Sequence, residues 1–385
     1  MIEFGRSLSG MSSVPHIYDL IVIGAGPAGA SAAITAARSG ARVLLLERGR
    51  LPRHKVCGEF VSAESLGLLS TLLDSGYRNL LEQAIRIPRS QIFLDGHTVR
   101  TSIDPPAASI ARFDLDMALW ESAASSGVDA RLPVAVEKLE PRSPTADTFQ
   151  VKTTDGDFQS KTLIDATGRW SNLNAAHRGN GSVRQKWLGV KGHFSEPAGE
   201  TSVDLYFFDG GYCGVQPVEL SEGGPGLSRV NACAVVRADV ANSLSEVFAQ
   251  HARLHERSRR WLRLSDAVST APLIFRKPQP VQNGVVRAGD AAGFVDPFVG
   301  DGISLALRSG RLAAQALSVC LQKEGSYDDA ARNYQRVYEQ QFGPIFRTSS
   351  KIRQMLSLPK ALRTPLLFML ARSPAATRYL IRKTR

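Results

Sequence analysis

Residues 22–29 read Val22-Ile23-Gly24-Ala25-Gly26-Pro27-Ala28-Gly29, a glycine-rich turn between an apolar run and an alanine-rich segment. The flanking pattern predicts a buried strand over residues 19–23 and a helix over residues 27–38. Gly24 permits a tight turn, Gly26 lets the backbone approach a pyrophosphate, and Gly29 lets the helix pack on the strand. A phosphate would then lie at the helix N-terminus, where free N–H groups and the helix dipole favour negative charge.

Two further segments identify the ligand class. A second predicted strand, residues 42–46, ends at Glu47, where dinucleotide-binding folds hold the ribose hydroxyls, and a carboxylate there disfavours the ribose phosphate of NADP. More than two hundred residues later the chain reads Gly289-Asp290-Ala291-Ala292-Gly293-Phe294-Val295-Asp296-Pro297, and the run ends in Gly300-Asp301-Gly302-Ile303. Two such turns predict one long cofactor held at both ends, and FAD is long enough.

Composition sets the outer limits. The chain has 385 residues, 43% of them hydrophobic, and a formal net charge of +11. Cys57, Cys213, Cys233 and Cys320 show no C-x-x-C spacing, which predicts no disulfide framework, no metal site and a cytoplasmic location. The charge is compatible with a solvated basic surface around an anionic cofactor, with a membrane surface, or with an anionic substrate. No recognition motif accompanies it, so no nucleic-acid partner is predicted.

The order of elements is mixed rather than serial. Asp95-Gly96 and Asp155-Gly156 predict hairpin turns. Residues 186–275 are rich in strand patterns, interrupted by one polar helix over residues 244–262, and the chain after Gly302 is mostly helical. This order predicts an α/β nucleotide-binding domain, assembled from separated pieces, with a β-rich insertion.

The motifs resemble those of a known flavoprotein superfamily. The glycine fingerprint, Asp165-Ala166-Thr167-Gly168 and the Gly289 segment are similar to the three FAD motifs of the para-hydroxybenzoate hydroxylase superfamily. The run Arg53-His54-Lys55-Val56-Cys57-Gly58-Glu59 is similar to the K-x-C-G segment of its geranylgeranyl-reductase-like branch. The resemblance implies a Rossmann-like FAD-binding domain of the glutathione-reductase/hydroxylase type, with an inserted antiparallel β-sheet substrate domain and C-terminal helices. The expected divisions are residues 17–90, 105–180 and 280–325 for FAD, residues 90–105 and 181–279 for substrate, and residues 326–385 for the helices.

The same resemblance implies a set of residues that bind FAD without a covalent bond. Arg112 would approach the FAD, unless it forms a surface ion pair, and Asp290 would bond the ribityl chain, unless it only caps a helix. One fingerprint provides no separate nicotinamide domain, so NAD(P)H is expected as a transient donor, or another protein delivers the electrons. The expected set is Gly24, Gly26, Pro27, Ala28, Gly29, Glu47, Arg48, Cys57, Gly58, Arg112, Asp165, Gly168, Gly289, Asp290, Pro297, Gly300, Gly302 and Ile303.

The expected substrate side departs from the reductase branch. Where geranylgeranyl reductases often carry Y-x-W-x-F-P, this chain has Tyr212-Cys213-Gly214-Val215-Gln216-Pro217, which suggests a wider and more polar pocket. Cys57 is the catalytic candidate, as proton donor or substrate contact, although a cysteine is more commonly a small buried residue. The predicted pocket residues are Lys191, His193, Tyr206, Phe208, Tyr212 and Gln216, and core or sheet-surface packing is the alternative for the first four.

Three functions follow from this resemblance, and the first is preferred. It is an FAD-dependent, NAD(P)H-linked monooxygenase that hydroxylates an aromatic, polyketide-like or other hydrophobic small molecule. The alternative is a geranylgeranyl-reductase-like enzyme that reduces carbon–carbon double bonds of an isoprenoid. The remote alternative is a non-catalytic flavoprotein at a membrane surface. No W-x-W-x-I-P run is present, which argues against halogenation.

The C-terminal segment has two interpretations. Residues 351–385 are rich in Lys and Arg, lack acidic residues and include the apolar run Pro365-Leu366-Leu367-Phe368-Met369-Leu370. This pattern suits peripheral membrane contact through an interfacial helix, or a pair of helices that cap the FAD domain. The sequence does not determine the oligomeric state, and a monomer would be sufficient.

Overall fold

The structure is a computed structural model that describes residues 17–140, 142, 147–169, 186–220, 226–322 and 324–363. Its helices are α1 (Pro27–Arg38), α2 (Ala63–Leu72), α3 (Arg78–Glu82), α4 (Arg112–Ser125), α5 (Leu244–Ala249), α6 (Ala252–Ser258), α7 (Gly302–Leu321) and α8 (Tyr327–Leu356). The strands are β1 (Ile17–Ile23), β2 (Val43–Leu46), β3 (Phe60–Val61), β4 (Ile85–Leu94), β5 (His97–Ser109), β6 (Asp129–Arg131), β7 (Val136–Glu140), β8 (Phe149–Thr153), β9 (Gly156–Asp165), β10 (Trp187–Pro197), β11 (Val203–Phe208), β12 (Gly211–Leu220), β13 (Leu227–Arg237), β14 (Leu262–Arg263), β15 (Val268–Thr270), β16 (Val281–Gln282) and β17 (Val285–Arg287). The predicted α/β fold class is confirmed.

The first sheet has the order β16-β17-β9-β1-β2-β6, with the β7–β8 hairpin attached to β9. Its central pairings are parallel, and Ile23 of β1 lies opposite Asp165 of β9, which lies opposite Arg287 of β17. Since the carboxyl ends of parallel strands meet at one edge, the turns after β1, β9 and β17 lie side by side. These turns carry the three sequence motifs.

Close packing between α1 and α7 brings the two glycine segments together. A Cβ atom added to Gly310 of α7 would lie 2.0 Å from the backbone oxygen of Ala28, so the helices approach to backbone contact. A Cβ atom added to Gly289 would lie 2.8 Å from the Ala28 Cβ. Only glycine allows this separation at either position, because any side chain would collide with α1. The second glycine–aspartate turn is therefore held against the first.

The second sheet has the order β14-β10-β13-β12-β11-β4-β5-β3, and β15 also pairs with β10. The predicted hairpin turn at Asp95-Gly96 joins β4 to β5, and the turn at Asp155-Gly156 joins β8 to β9. The single polar helix predicted over residues 244–262 is wrong. His251 has an extended backbone that divides the segment into α5 and α6, and Leu262 already belongs to β14.

The C-terminal part packs on both sheets. In α8, Tyr334, Tyr338 and Phe342 are buried in the main core with the strands of the first sheet. Beyond α8, Arg363 donates to the Asp95 carboxylate at 2.6 and 2.8 Å and so attaches the chain to the β4–β5 turn. No helix of the described residues is long and apolar enough to cross a membrane. Residues 364–385, which include the apolar run of the expected interfacial helix, lie outside the described residues.

Candidate functional site

A cavity of about 520 Å³ is lined by the turns at the edge of the first sheet and by residues from β10, β13 and β15 of the second. On the side of the second sheet its wall includes Gly189, Cys233, Val235 and Leu273. Sixteen of the residues expected to bind FAD lie in this wall, and the list is Gly24, Gly26, Pro27, Ala28, Glu47, Arg48, Cys57, Gly58, Arg112, Gly168, Gly289, Asp290, Pro297, Gly300, Gly302 and Ile303. Segments distant in sequence thus form one continuous surface.

Two residues of the expected FAD set, Gly29 and Asp165, lie behind that wall, and for Gly29 this is the packing role that the fingerprint predicts. A Cβ atom added to Gly29 would lie 1.7 Å from the Gly24 oxygen, so Gly29 packs α1 against the turn. Asp165 is buried, accepts hydrogen bonds from Thr167 N and Thr167 Oγ1 at 3.0 and 2.5 Å, and lies 3.5 Å from Arg287 Nε. Because Oδ1 accepts from the turn after β9 and Oδ2 faces Arg287, Asp165 links that turn to β17, which corrects its expected contact with FAD.

The first turn has the space and the donors that a pyrophosphate requires. At Gly26 an added Cβ atom would meet no protein atom closer than Arg112 Nη2, 3.9 Å away. Gly26 is the N-cap of α1, and no side chain caps the free N–H groups of that helix end. Open space beside an uncapped helix N-terminus fits the phosphates of a dinucleotide.

Glu47 is fixed at the end of β2 where the ribose hydroxyls were expected. Its carboxylate accepts hydrogen bonds from Ala25 N at 3.0 Å and Gly49 N at 2.9 Å, and Arg53 lies 3.2 Å away. These contacts hold an acceptor in the cavity wall with a defined orientation.

Asp290 is a second carboxylate of the wall. Burial raises the pKa of Asp290, although Arg169, 3.6 Å away, partly offsets this rise. Both carboxylates are thus available at the wall to accept from sugar hydroxyls.

Arg112 lies in the cavity wall with its side chain 13% exposed, so its ion pair with Asp116 is not one on the open surface. Its guanidinium donates two hydrogen bonds to Asp116, at 2.7 and 2.9 Å, and Lys55 Nζ lies 2.6 Å from the same carboxylate. Burial lowers the pKa of Lys55, whereas Asp116 holds the pKa of Arg112 well above its ordinary range. Two cations share one carboxylate here, which leaves an excess positive charge for an anionic partner.

Cys57 lies in the cavity wall between groups from both sheets. Its sulfur accepts a hydrogen bond from Glu59 N at 3.3 Å, and Arg112 lines the same wall. Its backbone oxygen accepts from Asn231 Nδ2 of β13 at 2.9 Å. The thiol is therefore held at a set place on the ligand side of the wall.

Glu59 directly follows the K-x-C-G segment and is the one acidic residue of the run from Arg53 to Glu59. The sequence by itself assigned it no role. Its fully buried carboxylate accepts from Lys191 Nζ, is 2.9 Å from His193 Nε2 and accepts from Arg112 N at 2.9 Å. Lys191 and His193 share a face of β10, as their spacing predicts, but they are about 1% exposed and lie outside the cavity wall. Their expected contact with substrate is corrected, because the structure buries Lys191 Nζ and His193 Nε2 against the Glu59 carboxylate.

The remaining predicted pocket residues also lie outside the cavity wall. Tyr206 and Phe208 face the opposite side of the second sheet, where Tyr206 stacks on Phe93 and packs with the residues of α5 and α6. Tyr212 is on the nearer face but is buried against Phe207 and Phe298. Gln216 is also buried and donates to Ser109 Oγ at 2.6 Å. Alternation along a strand predicts which side chains share a face, and it does not say which face borders a cavity.

Asp296, next to the cavity residue Val295, is a buried acid whose protonation is coupled to stability. Burial raises its pKa to about 7, and Arg353, 3.7 Å away, opposes the shift only in part. A carboxyl with a raised folded-state pKa binds its proton more tightly in the folded chain, so stability falls as pH rises from about 4 to about 7.

Asp296→Asn is expected to raise the free energy of unfolding, because the amide never carries the buried charge. The gain should be near zero below pH 4, about 1–2 kcal/mol at pH 5 and about 4 kcal/mol above pH 7, at 1.36 kcal/mol per pKa unit. Urea unfolding at pH 5 and pH 8 measures it, with Asp266→Asn as a control at a fully exposed carboxylate. A gain of equal size at both pH values would contradict the assignment.

Comparisons with known proteins identify the cofactor class. The family model described as FAD dependent oxidoreductase matches residues 19–176. A relative named menaquinone reductase, from Mycobacterium tuberculosis, is 27% identical over 380 residues, which covers 91% of this chain and 87% of the relative. Digeranylgeranylglycerophospholipid reductase 2 from Methanopyrus kandleri is 24% identical, over 88% of this chain and 87% of the relative.

A solved structure shows the same fold over nearly the whole chain. The structure of a flavin-dependent brominase superposes with a TM-score of 0.76 and 20% identity, and covers 96% of this chain and 93% of the brominase. At that identity the likeness concerns the fold and not the reaction.

Proposed function

We propose that this chain, an FAD-dependent oxidoreductase, reduces a carbon–carbon double bond of a hydrophobic, isoprenoid-like molecule. The observation that carries the proposal is Cys57, a residue of the cavity wall that accepts hydrogen bonds from Glu59 N at its sulfur and from Asn231 at its backbone oxygen. The names of the two reductase relatives support the same reaction class. The sequence suggested a wider pocket because Gly214 stands where geranylgeranyl reductases often carry tryptophan. Gly214 packs on Leu205 and lies outside the cavity wall, so this argument for hydroxylation no longer holds.

The residues that hold the cofactor follow from the fit of the cavity. Gly26 and the N-terminus of α1 would receive the pyrophosphate, Glu47 the adenosine ribose, and Asp290 the ribityl hydroxyls. Reduced FAD supplies a hydride when it is bound in this way. We propose NAD(P)H as the transient donor, since the sequence carries a single dinucleotide fingerprint.

Cys57 completes the reaction on the protein side. Addition of a hydride to one carbon of the double bond leaves the other carbon in need of a proton, and the Cys57 S–H bond supplies it. The thiolate that remains accepts the Glu59 N hydrogen bond and then takes a proton from water. Val235, Leu273 and Phe294 line the wall with apolar surface, which suits a hydrocarbon chain and excludes water from the reacting carbons.

Turnover with oxygen removed is the decisive test. The FAD-loaded protein is expected to consume NADPH anaerobically with a menaquinone or a polyprenyl lipid, and to yield a product two hydrogen atoms heavier by mass spectrometry. An aromatic panel with ¹⁸O₂ serves as the comparison. Product that forms only with oxygen, and that carries ¹⁸O, would overturn the reductase proposal in favour of hydroxylation.

A further inference from the structure

A buried charge cluster stands behind Cys57, and we propose that Glu59 is a positioning residue that holds the Cys57 segment at the cavity wall. Its carboxylate connects that segment to Lys191 and His193 of the second sheet and to the first amide of α4. The inference rests on the proposed role of Cys57, but its test requires no turnover.

The geometry of the carboxylate is fully specified by its donors. One oxygen accepts from Lys191 Nζ and from Arg112 N, and the other is bonded to His193 Nε2. These donors come from β10 on one side and from the N-terminus of α4 on the other. Moving Glu59 would therefore break hydrogen bonds in two directions at once.

The electrostatics keep the Glu59 carboxylate ionised. Burial raises the pKa of Glu59, but the hydrogen bond from His193 and the charge of Lys191 more than offset it, and the pKa lies below its ordinary value. Lys191 is equally buried, so each charge neutralises the other. Removal of one partner alone leaves a buried charge uncompensated, which is far more costly than removal of both.

The backbone of Glu59 points to a positioning role. Its φ is +62°, in the left-handed region that glycine adopts freely and other residues adopt at a cost. Such a conformation persists only where surrounding contacts over-determine it, and it is often found at functional sites. Here the contacts include those of the side chain, which is bonded on both carboxylate oxygens, and a hydrogen bond from Ile110 N to the Glu59 backbone oxygen at 2.9 Å.

That backbone conformation acts directly on Cys57. Glu59 N donates to the Cys57 sulfur at 3.3 Å. The φ of Glu59 sets the direction of this N–H relative to the Glu59 side chain. Asn231 binds the Cys57 backbone oxygen from the second sheet. Glu59 and Asn231 thus hold the thiol between them, and Glu59 alone depends on a charge cluster to do so.

The test is hydrogen exchange of the FAD-loaded protein, measured by mass spectrometry on peptides covering residues 54–62 and 110–114. Glu59→Gln is expected to speed exchange in both peptides by roughly ten- to hundredfold, the effect of losing a hydrogen bond to a charged group. The double variant E59Q/K191M removes both charges, so its thermal midpoint should lie closer to wild type than that of E59Q. Its exchange in the two peptides should stay fast.

Asp95→Asn is the matched control, since it also breaks a buried ion pair, with Arg363, away from the cavity. It is expected to lower the thermal midpoint without changing exchange in either peptide. If the two peptides of E59Q/K191M exchange at the wild-type rate, the positioning role is overturned. Exchange that is faster to the same degree over the whole chain would also overturn it. A chain that reduces no double bond but shows the local acceleration would overturn only the proposed reaction.

Discussion

Gly26→Ala is expected to give a folded protein whose affinity for FAD is lower by roughly ten- to hundredfold, the usual cost of 1–3 kcal/mol for overfilling a packed site. The added methyl group would meet no protein atom within 3.9 Å, and the φ of Gly26, −70°, suits any residue. Nothing in the protein should therefore resist the substitution. The methyl group instead occupies the space beside the α1 N-terminus that we assign to the pyrophosphate.

FAD titration followed by flavin fluorescence measures this loss, and two other glycines provide controls. Gly67→Ala lies inside α2 with nothing within 4 Å, so FAD affinity should be unchanged and stability slightly higher. Gly29→Ala would place a Cβ 1.7 Å from the Gly24 oxygen and should destabilise the fold itself. If a folded Gly26→Ala protein binds FAD as tightly as wild type, the pyrophosphate does not bind at this turn.

Cys57→Ser is expected to slow reduction of the double bond by about 10²–10⁴-fold, the usual contribution of a positioned general acid. A serine hydroxyl fills nearly the same space but releases its proton far less readily than a thiol. Reduction of bound FAD by NADPH should be almost unchanged, because that half of the reaction does not use the proton of Cys57. Stopped-flow absorbance separates the two halves.

Cys320→Ser is the control for this prediction, since Cys320 lies in α7 and outside the cavity wall. It should leave both half-reactions at wild-type rates. If Cys57→Ser reduces the double bond as fast as wild type, the proton comes from another group, and the assignment of Cys57 fails. If instead the FAD half-reaction slows to the same degree, Cys57 acts on the cofactor and not on the substrate.

Local patterns in the chain were sufficient for the first half of the fold and for the cofactor. The turn after β1, the N-terminus of α1 and the acidic end of β2 are all set by neighbours within a few residues. The hairpin turns at Asp95-Gly96 and Asp155-Gly156 were predicted for the same reason, because Asp-Gly pairs favour positive φ locally. The break between α5 and α6 was missed, since a polar segment carries little periodic signal.

The substrate side could not be derived in that way. Period-two alternation correctly grouped Lys191 with His193 and Tyr206 with Phe208, but it could not assign either pair to the cavity. The structure places the first pair against Glu59 and the second against α5 and α6. Which face of a strand borders a ligand depends on what packs across from it, and that partner comes from a distant part of the chain.

The sequence by itself therefore determined the class of cofactor and the turns that hold it, because a glycine at a turn or a helix start acts through its immediate neighbours. Only the tertiary structure decided that Glu59 is buried between Lys191, His193 and Arg112 N, 132, 134 and 53 residues away along the chain. Burial of a charge is tolerable only where opposite charges and donors converge, and that convergence is a property of the packed sheets.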